Sequence, residues 1–317
     1  MTNSSLRRFY KKYCVLTDWN IGLVNASGAE LRALVSEGRL GPTQWCPRVS
    51  LLRSRADPFV WPLAGGHRVV YEEIDHRSKL GHVRSLSLQR FARWQRSRVE
   101  IVQPFHLSYP FIFQHDDVWY CVPESARSGG VDLYAWHPSE GWKVEQRLID
   151  NIGILDATLF RYDDIWYLFG TTRGSADAYD KLRIWWSNNL KGEWQLHARD
   201  PAKVDLRSAR SAGPFFQVSG RWYRPAQDCA TGYGSAVSIN RLDVLTPSEF
   251  AETTVSRVQP DPNGPYPDGL HTLAVHDGKV LIDGKRVRFS AALLLLKAGR
   301  RIRRLFDLRS QNPAEDA

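Results

Sequence analysis

A chain of 317 residues is long enough to bury a large core without disulfide support, and 12% aromatic content excludes a disordered chain. A formal net charge of +9 leaves three partner classes to weigh: nucleic acid, an anionic membrane surface, or an anionic small substrate. Cys14, Cys46, Cys121 and Cys229 are scattered with no Cys-x-x-Cys pair, which argues against a structural zinc site and a dense disulfide framework.

In chain order, residues 1–14 read as a basic arm. Its cations precede no apolar run, so it does not read as a secretory signal, and the expectation is a cytoplasmic protein with reduced thiols. TDWNIGLV and TQWCPRV, which follow, look like strands able to complete a sheet or close a ring. Residues 57–72 (DPFVWPLAGGHRVVYE) then open a series. Residues 109–124 (YPFIFQHDDVWYCVPE), 156–171 (DATLFRYDDIWYLFGT), 212–227 (AGPFFQVSGRWYRPAQ) and 270–285 (LHTLAVHDGKVLIDGK) follow the same template. Each is two β-rich runs around a turn-favouring pair, which is the mark of a hairpin. Val131–Trp136, Arg183–Ser187 and Ala236–Leu242 supply further strands between the hairpins.

The copies start 52, 47, 56 and 58 residues apart, a period that suits one four-stranded propeller blade. The predicted fold is all-β: a five-bladed β-propeller over 15–290, with a short basic amphipathic helix and tail over 291–317. A β-sandwich of repeated hairpins is the alternative. In a propeller the first strand of each blade lines the central channel. Asp57, Tyr109, Asp156, Ala212 and Leu270 therefore form one ring of equivalent positions at a mouth. Glu72, Glu124, Thr171, Gln227 and Lys285 form a second.

The segments WNIGLV (19–24), ADPF (56–59), SYPFIF (108–113), VPES (122–125), DATLF (156–160), RSAGPF (210–215), RPAQDC (224–229), YG (233–234) and GLHT (269–272) carry a resemblance. Over about residues 15–285 the chain resembles the five-bladed propeller domain at the N-terminus of plant glucosamine inositolphosphorylceramide transferases and its bacterial relatives. More distantly, ADPF and DATLF resemble the inner-strand carboxylate motifs of five-bladed furanosidases and fructosidases. That likeness implies a base or nucleophile at Asp57, and at Asp156 a carboxylate that tunes the acid and holds sugar hydroxyls. The Glu-Gly-Pro motif expected to hold the acid reads Ala212-Gly213-Pro214 here, which leaves Glu124 and Glu72 as replacements. An Asp at a strand entrance can equally cap backbone N–H groups.

Arg210, Arg224, Gln227 and Asp228 form a second constellation, suited to an anionic group and sugar hydroxyls. Tyr109 and Tyr233 suit stacking on a sugar ring, and His271 suits substrate contact or proton transfer. No metal site is expected from His67, His76 or His82, and no cofactor is implied. Neither a phosphate-cradling nor a dinucleotide glycine motif occurs, nor a Gly-x-Ser-x-Gly elbow.

In 291–306 (AALLLLKAGRRIRRLF) apolar and basic residues divide into two helical faces, as in helices that lie on anionic membranes. Basic excess gathers at the two chain ends, which favours a membrane surface over nucleic acid as a partner. The expected function is a carbohydrate-active enzyme of glycan or glycolipid assembly, transferring a glycosyl unit at the mouth. It would be cytoplasmic and peripheral on the inner face of the membrane, and its substrate a carbohydrate or sugar-containing anion. The alternatives are a non-catalytic glycan-binding propeller and a furanosidase-like hydrolase.

Overall fold

The computed structural model describes residues 15–299, apart from 49, 94, 175, 176, 293, 297 and 298. The basic arm at 1–14 lies outside the described residues, as does most of the amphipathic segment, of which 291–292 and 294–296 are helical.

Among the described residues, twenty-one strands form five antiparallel sheets arranged as the blades of a propeller. Strands β1 (Val15–Asn25) and β2 (Gln44–Trp45) belong to the last blade. Blade 1 is β3 (Arg53–Trp61), β4 (Arg68–Asp75), β5 (Leu80–Ser87) and β6 (Arg98–Ile101). Blade 2 is β7 (Ser108–His115), β8 (Val118–Glu124), β9 (Val131–His137) and β10 (Gly141–Ile149). Blade 3 is β11 (Ile154–Tyr162), β12 (Ile165–Thr172), β13 (Lys181–Ser187) and β14 (Gln195–Leu196), with β15 (Lys203–Val204) also paired to β13. Blade 4 is β16 (Phe216–Val218), β17 (Arg221–Asp228), β18 (Ala236–Leu245) and β19 (Phe250–Val258). Blade 5 joins both ends of the fold, in the order β20 (Leu273–His276), β21 (Lys279–Phe289), β1, β2. All eleven residues of β1 pair with β21. The N-terminal strand thus completes the last blade and removes an open edge.

The turn pairs explain the hairpins. Asp116-Asp117, Asp163-Asp164, Ser219-Gly220 and Asp277-Gly278 all hold positive φ and close two-residue loops. Such primed turns match the right-handed twist of the flanking strands, and Asp and Gly tolerate the left-handed region. The cores lie between neighbouring blades: one apolar cluster spans blades 5, 1, 2 and 3, and two others join 3 to 4 and 4 to 5. Phe160 of blade 3 stacks face to face on Phe215 of the segment entering blade 4, centroids 4.0 Å apart.

Sequence reading found no helix before residue 291. The structure has α1 (Gly28–Glu37), opened by a Ser27/Glu30 capping box and closed by left-handed Gly38. It rests on blade 4, where Ser256 Oγ donates to the Leu34 carbonyl at 2.8 Å. Its short apolar stripe was hidden among the polar residues of a connection.

Candidate functional site

Three ring positions share one backbone device. Asp57, Tyr109 and Asp156 have φ of 51°, 43° and 51°, each inside a β-bulge of the channel-lining strand. Left-handed backbone costs a non-glycine residue roughly 1–2 kcal/mol, so something must hold each one there. Contacts between blades supply that. The Asp57 amide donates to Asp283 Oδ2 at 3.1 Å, and the Tyr109 amide donates to Asp57 Oδ2 at 3.1 Å. The bulges of blades 1 and 2 are each fastened by the carboxylate of the blade before them. The bulge turns the side chain toward the mouth and breaks strand alternation there.

Ala212 and Leu270 do not repeat this device. Both are buried in the apolar cluster between blades 4 and 5. Gly213 brings its backbone so close to Leu273 that a Cβ would sit 2.0 Å from the Leu273 carbonyl oxygen. The position of the missing glutamate, Ala212, is therefore part of the apolar core.

The mouth gathers most of the expected residues. Asp57 is buried, with Oδ1 accepting from the Thr272 hydroxyl at 2.7 Å. His271 Nδ1 lies 2.5 Å from Asp283 Oδ2 and its Nε2 lies 3.8 Å from Asp57 Oδ1. Asp283 Oδ1 also accepts the amides of His271 and Thr272 at 2.9 and 3.1 Å. Burial pushes the Asp57 carboxyl up to about 7; the His271 charge opposes this, and Glu72, Asp283 and Asp156 reinforce it. Burial works against a charged His271, yet the carboxylates of Asp283 and Asp57 outweigh it and push the imidazole up to about 9. Burial also raises Glu72, whose Oε1 lies 3.0 Å from His106 Nε2. The Gly81 amide donates to His106 Nδ1 at 2.9 Å, so Nε2 is the nitrogen that faces Glu72 with its proton.

Asp156 is held differently. Its Oδ2 accepts from Arg210 Nε at 2.6 Å and from Gln227 Nε2 at 2.7 Å. The Arg210 guanidinium packs beside a pair of touching rings, 5.6 Å from the centroid of Tyr179 and 5.2 Å from that of Tyr233, which are themselves 6.2 Å apart. Those rings are 39% and 41% exposed and form the open wall of the mouth. Tyr233 also meets His271 edge-on at 5.2 Å, and Trp19 stacks on the other side of the cluster, 4.0 Å from the imidazole. Tyr109 is fully buried and its hydroxyl pairs with Thr158 at 2.8 Å, so it braces blade 3 and offers no stacking face.

Three expected residues stand elsewhere or are committed. Glu124 is half-buried and accepts from Ser108 Oγ at 2.7 Å and from the Ala126 amide at 2.8 Å. Arg224 is fully buried within blade 4, where it grips Glu252 through Nε at 2.8 Å and a terminal nitrogen at 2.6 Å, and donates to the Ser208 and Ala209 carbonyls. Asp228 is paired with Arg207 at 3.2 Å and Arg257 at 3.0 Å. The expectation that Arg224 and Asp228 meet substrate is corrected: hairpin position placed them near the mouth, but both side chains turn into structural ion pairs.

Sequence reasoning missed Asp283, Trp19, Tyr179 and His106. Asp283 had a legible signal, because it occupies the template position filled by Val70, Val122, Phe169 and Pro225 in the other copies. A carboxylate among apolar equivalents marks a buried functional or bracing role. Tyr179 had no such signal, since it follows β12 in a connection outside the template.

Residues 52–264 match the family model described as glucosamine inositolphosphorylceramide transferase 1, N-terminal. The chain belongs to this family. It is 32% identical over 208 residues to glucosamine inositolphosphorylceramide transferase 1 of Oryza sativa subsp. japonica, covering 63% of this chain and 28% of the rice protein. The Arabidopsis thaliana protein of the same name is 29% identical over 206 residues, covering 63% of this chain and 27% of that protein. The chain thus matches only about a quarter of the length of these transferases. Among solved structures, the fold is shared with Zg3597, a family 117 glycoside hydrolase of Zobellia galactanivorans, at a TM-score of 0.52, 10% identity, and 85% and 90% coverage of the two chains. It is also shared with the α-L-arabinofuranosidase PaAbf62A of Podospora anserina, at a TM-score of 0.51, 14% identity, and 69% and 76% coverage. The family match and the shared fold agree on the five-bladed propeller.

Proposed function

We propose that the mouth binds a glycosyl-bearing, anionic headgroup and carries out acid–base chemistry on it, in transfer of a sugar unit. The observation that carries this reading is a pair of carboxyl groups at equivalent positions of blades 1 and 3 held in opposite ways. Asp57 is buried and pushed up to about 7, so it can carry a proton near neutrality. Asp156 is clamped by Arg210 and Gln227, which suits a carboxylate that binds hydroxyls or steadies positive charge at a sugar carbon. His271 backs Asp57, and Glu72 lies within the same electrostatic field. The exposed rings of Tyr179 and Tyr233 offer stacking surface, and Arg210 beside them offers charge. The relatives' printed name supplies the chemical class: an amino sugar and an inositol phosphate headgroup. With most of those proteins' length unmatched here, that substrate remains part of the proposal.

A second reading is a glycan-binding propeller without chemistry. It is favoured by the two Asp57 oxygens, both occupied by Tyr109 N–H and the Thr272 hydroxyl, and by the buried alanine at 212. The furanosidase-like reading suffers most from Ala212, because a buried alanine stands where that reading expects its acid. We further place the protein in the cytoplasm at the membrane face, through the basic segments at its ends. Among the described residues no helix is long and apolar enough to cross a membrane.

The test titrates the full chain with glucosamine and with myo-inositol 1-phosphate for binding. For turnover it supplies an activated donor, a nucleoside-diphosphate amino sugar whose nucleoside diphosphate leaves as the inositol hydroxyl bonds to the sugar carbon, with products assayed by mass spectrometry. D156N should weaken binding at least tenfold. D57N should keep binding and lose at least a hundredfold in turnover. Turnover unaffected by D57N rejects the acid–base role; binding with no product from the parent protein selects the second reading.

A further inference from the structure

We propose that the face opposite the mouth holds a site for a divalent transition-metal ion, zinc first among them, formed by His67 of blade 1 with His276 and Asp277 of blade 5. The strands place it. His67 directly precedes β4, at the end of the hairpin away from Asp57 and Glu72. His276 ends β20, and Asp277 begins the turn into β21, away from Asp283. Neighbouring blades therefore present three ligand-type side chains at one rim.

Two observations carry the site. One ring nitrogen from each histidine and a carboxylate oxygen of Asp277 all lie within 4.8 Å of one another. Further, His67 Nδ1 and His276 Nε2 are buried without a hydrogen-bond partner among the described residues, and Nε2 has the Asp277 carboxylate 3.5 Å away. A buried nitrogen left without a hydrogen bond is costly, and a bound ion would relieve that cost. The rings sit 5.8 Å apart at 81°, so they do not stack and leave an edge open between them.

The donor set selects the ion. Two imidazoles and one carboxylate suit zinc, with a fourth position left for water, whereas calcium wants six to eight oxygens. Bond lengths of ~2.0–2.1 Å put zinc ligands about 3.4 Å apart, so the three donors must close in slightly. Asp277 is exposed and can move to do so. The backbone is already fixed: the Leu88 amide donates to the His67 carbonyl at 2.9 Å, and His276 pairs with Lys279 across the hairpin. The other cluster with metal-like spacing, Asp57, His271 and Asp283, is closed by its own ion pair and belongs to the mouth. An ion at the opposite rim would tie the composite last blade to the first, where the ring is joined.

The test strips the full chain with EDTA and titrates it calorimetrically with zinc chloride and, separately, calcium chloride. The expected result is one zinc per chain at micromolar affinity or tighter, no calcium binding, and a melting temperature several degrees higher with zinc. H67Q and H276Q should each weaken zinc binding at least tenfold, while H271Q at the mouth changes it less than twofold. Should a histidine variant fail to fold, cobalt-loaded D277N decides the matter, since losing a ligand must alter the visible absorption of the cobalt-loaded parent. The proposal is overturned by no zinc binding, by zinc affinity indifferent to both histidines, by binding lost in H271Q, or by an unchanged cobalt spectrum in D277N.

Discussion

At the scale of single residues, the same chemical type does different work according to what surrounds it. Asp57 and Asp156 hold equivalent repeat positions and the same left-handed backbone, yet one is pressed toward protonation and the other is clamped by a guanidinium. His271 gives a pH signature. Its pKa is raised from 6.5 to about 9 on folding, so the native state holds an extra proton between those values. The stabilisation is complete below pH 6.5 and is lost as pH rises toward 9, a change of about 3 kcal/mol. Denaturant unfolding across that window should show the loss, and H271Q should flatten it; an equally steep fall in the variant contradicts the assignment. Arg224 provides the contrast with Arg210. R224M leaves Glu252 buried against Lys203 alone and should cost about 3–5 kcal/mol of stability, with ligand affinity of the folded protein unchanged. A loss of affinity with full stability would return Arg224 to the binding surface.

At the scale of elements, the inner strands decide which side chains reach the mouth. Blades 1 to 3 bulge at the repeat position and present Asp57, the buried brace Tyr109, and Asp156. Blades 4 and 5 instead start their inner strands later, at Phe216 and Leu273, and spend the equivalent positions on packing. Gly213 makes that packing possible: its φ is 144°, and the Leu273 amide donates to the Ala212 carbonyl at 2.7 Å. G213A should cost on the order of 3 kcal/mol, because the added methyl must displace the Leu273 backbone. Thermal denaturation measures it; a melting temperature within a degree of the parent would contradict the close approach. The hairpins were legible because their turn chemistry is local, in Asp-Asp, Ser-Gly and Asp-Gly pairs. The helix α1 was not, because it shows only a capping box and a short stripe.

At the scale of the whole molecule, ring closure depends on β1, which lends eleven paired residues to a blade whose other long strand arrives at the far end of the chain. Removing residues 1–25 should therefore expose β21 as an open edge. The shortened protein should aggregate or melt without cooperativity in size-exclusion and circular-dichroism experiments, and a monomer with the parent's melting curve would refute that role. The sequence by itself determined the five hairpins, their period, the all-β ring, and the family, since all of these repeat locally along the chain. It also offered Asp57, Glu124 and Asp156 as catalytic candidates and Glu72, Tyr109, Arg210, Arg224, Gln227, Asp228, Tyr233 and His271 as substrate-binding ones. Only the tertiary structure decided which groups touch. Asp283 joins His271 and Asp57, Arg224 and Asp228 turn into ion pairs, and His67 meets His276 across the closure. The physical reason is that a repeat sets where a residue stands along its strand, whereas the direction and charge state of its side chain depend on neighbouring blades that are distant in sequence.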